Sequence, residues 1–169
     1  SLFGYQAFGV EPDVMTLAKG LGGGVPIGAF LAKEQAAVLE PGDHGSTFGG
    51  NVLTSAAAYA STKYIVDNNL PAQAREMGQY LEAGLKQLMA DHEFISEVRG
   101  MGLLWGVRFN AEIAAKVISA CNEAGLLLNM IRPDLIRIMP PLTLTREEID
   151  QALGRLEAGL NEAVKDGIG

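Results

Sequence analysis

Lys19, the pair Ser46-Thr47 and Arg137 are the residues of this chain whose types and settings could do chemistry. Lys19 ends the apolar run Val14–Ala18 and stands directly before the glycine run Gly20-Leu21-Gly22-Gly23-Gly24. An apolar strand end tends to be buried, burial disfavours the ammonium form, and a neutral lysine amine attacks carbonyls to form a Schiff base. The glycines remove side chains, so a flat ring could approach the backbone closely. The same pattern also fits a surface lysine whose stem snorkels over apolar neighbours. Ser46 and Thr47 precede Gly49-Gly50 and a helix start. Hydroxyls and free N–H groups suit a phosphate there, and a Ser, Thr or Asn cap needs no ligand at all. Arg137 interrupts the apolar run Leu135–Met139. A guanidinium in that setting finds an acidic partner or stays exposed, and its planar fork suits a carboxylate. An outward position on an alternating strand accounts for it equally.

Other reactive types read more plainly. His44 is a loop histidine with nothing at triad or ligand spacing around it. His92 follows an amphipathic helix and reads as a charge partner for its C-terminus. Arg99, in Glu97-Val98-Arg99-Gly100-Met101-Gly102, reads as a turn residue with a structural ion pair. Trp105 reads as packing, and Cys121 as a small buried hydrophobe on a helix. No cluster has zinc or calcium spacing, so no metal is expected.

These residues need elements to hold them. The chain has 169 residues and is 48% hydrophobic, enough for one good core or one and a half small ones. The net charge of −7, with no basic stripe, argues against nucleic acid. No apolar run reaches membrane-spanning length. A single cysteine excludes an internal disulfide and fits a reducing, cytoplasmic compartment. Residues 14–18 and 27–32 read as short strands around the glycine loop, with Val25-Pro26 blocking a helix between them. A helix over 52–67 places Val52, Ala56, Ala60 and Tyr64 on one face. Pro71 opens the next helix, with Ala74, Met77, Leu81, Leu85 and Leu88 in a stripe. Residues 102–109, 126–131 and 135–139 read as strands. A helix with Ile113, Val117, Ile118 and Cys121 lies between the first two and stops at Gly125. Thr145-Arg146-Glu147-Glu148 is a capping box that opens a last helix with Ile149, Leu153, Leu156, Leu160 and Val164.

Three segments, in this order, resemble the class III pyridoxal-phosphate aminotransferases: Leu2–Ala32 around Lys19, His44-Gly45-Ser46-Thr47-Phe48-Gly49-Gly50-Asn51, and Leu135-Ile136-Arg137-Ile138-Met139-Pro140-Pro141-Leu142. The resemblance implies an α/β fold, the C-terminal portion of a fold-type I pyridoxal-phosphate transferase. Residues 1–70 would be the end of the large mixed-sheet domain, and residues 71–169 a small C-terminal α/β domain. Ser1-Leu2-Phe3-Gly4-Tyr5 begins in mid-motif against the family, so the N-terminal half is expected to be missing and the chain alone to be silent. The resemblance further implies pyridoxal 5'-phosphate as cofactor, carried by Lys19. It implies Ser46 and Thr47 at a cofactor phosphate, Thr47 at that of a neighbouring subunit, and hence a homodimer with shared sites. Arg137 would lie on the substrate side. The implied substrates are an amine and 2-oxoglutarate, with N-acetylornithine the first choice of amine. Ornithine, succinylornithine, 4-aminobutyrate or a same-fold aminomutase reaction are the alternatives.

Overall fold

A computed structural model describes residues 1–165 and Gly167. The chain divides into two compact units, Ser1–Pro71 and Ala72–Gly169.

The first unit is thinly packed. It contains α1 (Gly4–Ala7), β1 (Val14–Leu17), a 3-10 turn (Lys19–Gly22), β2 (Ala29–Ala32), a second 3-10 turn (Glu34–Ala36) and α2 (Val52–Asp67). The two strands pair with each other, antiparallel, from Val14 opposite Ala32 to Leu17 opposite Ala29. No residue of either strand is buried, so the expected buried strand is an exposed two-stranded ribbon. The alanine-rich α2 buries Thr54 and Ala58 rather than the face through Val52 and Tyr64, which are 86% and 54% exposed. The reason is local: the glycine loop lies against the opposite side. A Cβ on Gly23 would stand only 3.5 Å from Ser61 Cβ. Asn51 caps α2, its Oδ1 accepting from Thr54 N at 3.0 Å.

The second unit holds the hydrophobic core. It is built from the rest of α3 (Leu70–Asp91), the hairpin of β3 (Ile95–Met101) and β4 (Leu104–Phe109), α4 (Ala114–Glu123), β5 (Asn129–Arg132), β6 (Leu135–Ile138) and α5 (Arg146–Ala163). The sheet order is β3-β4-β6-β5, and every neighbouring pair is antiparallel. Met77, Leu81, Leu85 and Leu88 of α3, Val117 and Cys121 of α4, and Ile149, Leu156 and Leu160 of α5 bury one sheet face with Trp105, Val107, Phe109 and Ile136. The expected stripes on α3 and α5 are therefore the packed ones, each fully buried leucine or isoleucine contributing about 1.5–3 kcal/mol. The capping box forms as the sequence indicates, with Thr145 N donating to Glu148 Oε2 at 2.9 Å and Glu148 N to Thr145 Oγ1 at 3.3 Å. Gly125 stops α4 in the left-handed region, φ +77. Cys121 is buried, and burial pushes its thiol up to about 11, so it is a packing group and no nucleophile at neutral pH.

Three elements differ from the sequence reading. The supposed turn at 97–102 is strand β3, and the turn is tightened around Gly102, φ +57. The strand expected over 126–131 begins only at Asn129, because Leu126 N still bonds back to Cys121 O at the helix end. His92 does not act as a charge partner. Its ring tilts against Phe94, centroids 5.2 Å apart, and its Nε2 is buried without a hydrogen-bond partner among the described residues.

Because the core cluster lies wholly in the second unit, local stability should be uneven. Hydrogen exchange of the 169-residue chain should find the slow amides in α3, β4, β6 and α5, and fast exchange over residues 10–32. Strong protection of residues 10–32 in a monomer would show that β1 and β2 are held by more than their mutual pairing.

Candidate active site

Lys19 is not buried. It follows β1 with its backbone in the left-handed region, φ +56, one of two non-glycine residues to adopt it among the described residues. The strain of such a position is of order 1 kcal/mol for a side chain without local bonding. It turns the chain sharply out of β1 into the 3-10 turn, and left-handed Gly23 ends that turn. The lysine is thus presented at the strand end, while the amide-rich glycine loop folds back on α2. The burial expected at Lys19 fails because, among the described residues, β1 pairs only with β2 and its side chains are at most half-covered. Among the described residues Lys19 makes no ion pair, whereas Lys33, Lys63, Lys86 and Lys165 each have a carboxylate.

Ser46 and Thr47 lie in the exposed loop before α2. Capping belongs to Asn51, so the helix does not consume their hydroxyls, and neither hydroxyl is hydrogen-bonded among the described residues. Gly49 makes room for the loop's shape, since a Cβ there would stand 2.8 Å from Ser46 Oγ. His44 is exposed in the same loop.

Arg137 belongs to the second unit. It points to the sheet face opposite the helices, as an outward residue of β6 between the inward Ile136 and Ile138. It is half-buried, and its partner is no acid but the exposed Asn129, whose Oδ1 accepts from Arg137 Nη2 across the β5–β6 ladder. Its Nε is buried with no acceptor among the described residues. No carboxylate pairs with it among the described residues, whereas Arg99 has Glu97 at 3.7 Å and Arg108 has Glu97 at 3.8 Å and Asp134 at 3.5 Å. Arg99 therefore keeps the expected ion pair, on a strand instead of a turn. Asn129 was not singled out by the sequence reading. Its signal is that it is the one polar residue in Leu126-Leu127-Leu128-Asn129-Met130-Ile131.

No group of three potential metal ligands exists among the described residues, and no helix among them is long and apolar enough to cross a membrane. The first unit offers a presented lysine on a glycine loop and a pair of unspent hydroxyls, and the second, separately, a guanidinium with unspent donors. Known proteins carry a similar segment. The chain is 46% identical over 161 residues to the acetylornithine aminotransferase of Caldanaerobacter subterraneus, covering 95% of this chain and 41% of that protein. It is 48% identical over 164 residues to the acetylornithine aminotransferase of Thermosynechococcus vestitus, covering 95% and 40%. The fold superposes on the acetylornithine aminotransferase of Elizabethkingia anophelis with a TM-score of 0.90 at 33% identity, covering 96% of this chain and 42% of that one. It superposes on the ornithine delta-aminotransferase of Plasmodium falciparum with a TM-score of 0.88 at 32% identity, covering 96% and 43%. The chain thus spans about two-fifths of the length of these relatives, in keeping with a portion of a larger α/β transferase fold. The family model for "Aminotransferase class-III" matches residues 1–160, and the chain belongs to that family.

Proposed function

We propose that this chain supplies the cofactor lysine and a substrate-side arginine of an aminotransferase that moves the terminal amino group of N-acetylornithine to 2-oxoglutarate. The observation that carries the reading is the 46–48% identity to acetylornithine aminotransferases over 95% of the chain, with Lys19 presented and unpaired within it. Ornithine is the competing amine, because the solved ornithine delta-aminotransferase superposes almost as closely as the acetylornithine enzyme.

The residues fit pyridoxal 5'-phosphate. An amine without an ion-pair partner can carry an aldehyde, and a glycine loop leaves the approach open: a Cβ on Gly20 or Gly24 would meet nothing within 4 Å. Two hydroxyls released from capping can donate to a phosphate. Bound pyridoxal phosphate supplies the electron sink that makes a proton on the amine-bearing carbon removable. Lys19 is the residue that would hold the cofactor, through its Nζ, and an incoming amine would free it. The freed Nζ would serve as the base that takes the proton from the amine-bearing carbon and returns it two bonds away, across the intervening nitrogen. Arg137 takes a substrate carboxylate in bidentate fashion. Thr47 donates to the phosphate of a neighbouring subunit's cofactor, which requires a homodimer. A reducing cytoplasm suits the free Cys121.

The test is a chimera in which this chain replaces the matching segment of the Caldanaerobacter acetylornithine aminotransferase, assayed with N-acetylornithine, ornithine, succinylornithine and 4-aminobutyrate against 2-oxoglutarate. N-acetylornithine should turn over fastest, and the 169-residue chain alone should be silent. Preference for another amine would move the assignment to that enzyme. In the chimera, Thr47→Val should weaken cofactor affinity by about 1.5–3 kcal/mol, the range for a hydrogen bond to a charged group. Unchanged affinity would remove Thr47 from the phosphate site.

A further inference from the structure

A left-handed backbone at a residue other than glycine persists only where its surroundings over-determine it. Lys19 holds φ +56, yet it is exposed and has no ion pair among the described residues. What fixes it must act through the turn that it opens. That turn is short and tightly bonded. Leu21 N donates to Ala18 O at 3.2 Å and Gly23 N to Gly20 O at 3.1 Å, each bond closing over three residues. Lys19 begins the turn and left-handed Gly23 ends it, so a displacement at Gly23 is carried to Lys19.

The first unit holds this turn from two sides. On one side is the chain that returns from it. Gly22 is the turn's one buried residue, and a Cβ there would stand 2.9 Å from Ile27 Cγ2 and 3.2 Å from Val25 Cγ2, so little slack remains. On the other side is α2. A Cβ on Gly23 would stand 3.5 Å from both Cβ and Oγ of Ser61. Ser61 is half-buried between exposed Ala60 and Thr62. It shares a helix face with the buried Thr54 and Ala58, spaced by four and three residues. A longer side chain at position 61 would fill the space beside Gly23. With Ile27 behind Gly22, the turn can then yield only toward its Lys19 end.

We infer that Ser61 is a positioning residue for the cofactor lysine: by seating Gly23 on α2 it sets the turn whose other end presents Lys19. The inference rests on the aminotransferase reading for the task of Lys19. It adds that α2 governs where the amine stands, by contact with Gly23 and not with Lys19 itself. Misplacing a reacting group by about 1 Å can cost about a hundredfold in rate.

The chimera, freed of cofactor, gives two readings. One is the rate at which added pyridoxal phosphate is captured, Nζ bonding the aldehyde carbon while the oxygen leaves as water, followed by visible absorbance. The other is the affinity for pyridoxine 5'-phosphate, which has the ring and phosphate but no aldehyde, measured by calorimetry. Ser61→Leu should slow capture about a hundredfold and leave pyridoxine phosphate affinity unchanged. Ser61→Ala, which keeps the Cβ, should capture at the parent rate. Parent-rate capture in Ser61→Leu overturns the proposal. So does a matching loss of pyridoxine phosphate affinity, which would mark a general defect of the fold. The 169-residue chain supplies a reading without cofactor. Ser61→Leu should move the backbone amide resonances of Gly23 and Lys19 together and leave those of β4 and β6 in place. Movement at Gly23 without Lys19 overturns the proposal. A parent chimera that captures no pyridoxal phosphate would strike the function, and the amide shifts would still judge Ser61.

Discussion

Lys19→Ala in the chimera abolishes the visible absorbance of lysine-bound cofactor and lowers transamination by about 10^4-fold, the upper range of what a positioned general base contributes. Lys19→Arg does the same, because a guanidinium keeps the charge and cannot supply a neutral amine. Neither change disturbs the fold, since Lys19 is exposed and makes no ion pair among the described residues. Circular dichroism checks that, and the absorbance spectrum with added pyridoxal phosphate checks the chemistry. Normal turnover in either variant would place the cofactor amine elsewhere.

The largest expected effect on stability is at Gly78. A Cβ there would run into the backbone of Gly102, its carbon at 2.6 Å and its Cα at 2.8 Å, where α3 crosses the β3–β4 turn. Backbone cannot swing aside as a side-chain tip can, so Gly78→Ala should destabilise the second unit by about 3 kcal/mol, the top of the usual overpacking range. Gly154→Ala in α5 is the control. A Cβ there meets nothing within 4 Å, and the exposed helix position should gain about 0.5–1 kcal/mol. Trp105 is the only tryptophan and is buried in this unit, so urea denaturation followed by its fluorescence reads both variants directly. Equal midpoints for Gly78→Ala and the parent would mean that α3 and the turn can separate at little cost.

Legibility in the sequence followed the range of the interactions. The stripes of α3 and α5 and the Thr145–Glu148 box are set by neighbours three and four residues away, and they stand in the structure as read. Strand β3 was missed because Gly100 and Gly102 look like turn punctuation. Gly100 is a strand residue whose Cβ would fall 2.6 Å from the Trp105 ring on β4, a cross-strand fact that no local pattern carries. The burial assumed for Lys19 failed for a related reason. Whatever covers a strand face must come from elsewhere in the chain or another chain, and apolar composition alone cannot say whether it is present. At Arg137 the outward position was legible from alternation, but its partner was not, because Asn129 is eight residues away and joined only by the ladder.

The division of labour before α2 bears on how such a protein can change over generations. A residue that both caps a helix and holds a ligand is locked twice, because drift in the ligand would unfold the helix end. Here Asn51 carries the cap alone, with Oδ1 taking Thr54 N and Nδ2 giving to Phe48 O. Positions 46 and 47 are thereby released from the upkeep of the fold. Mutation can rewrite them for a different anion while the helix keeps its start, so this loop is where divergence within the family can proceed at the lowest risk to folding.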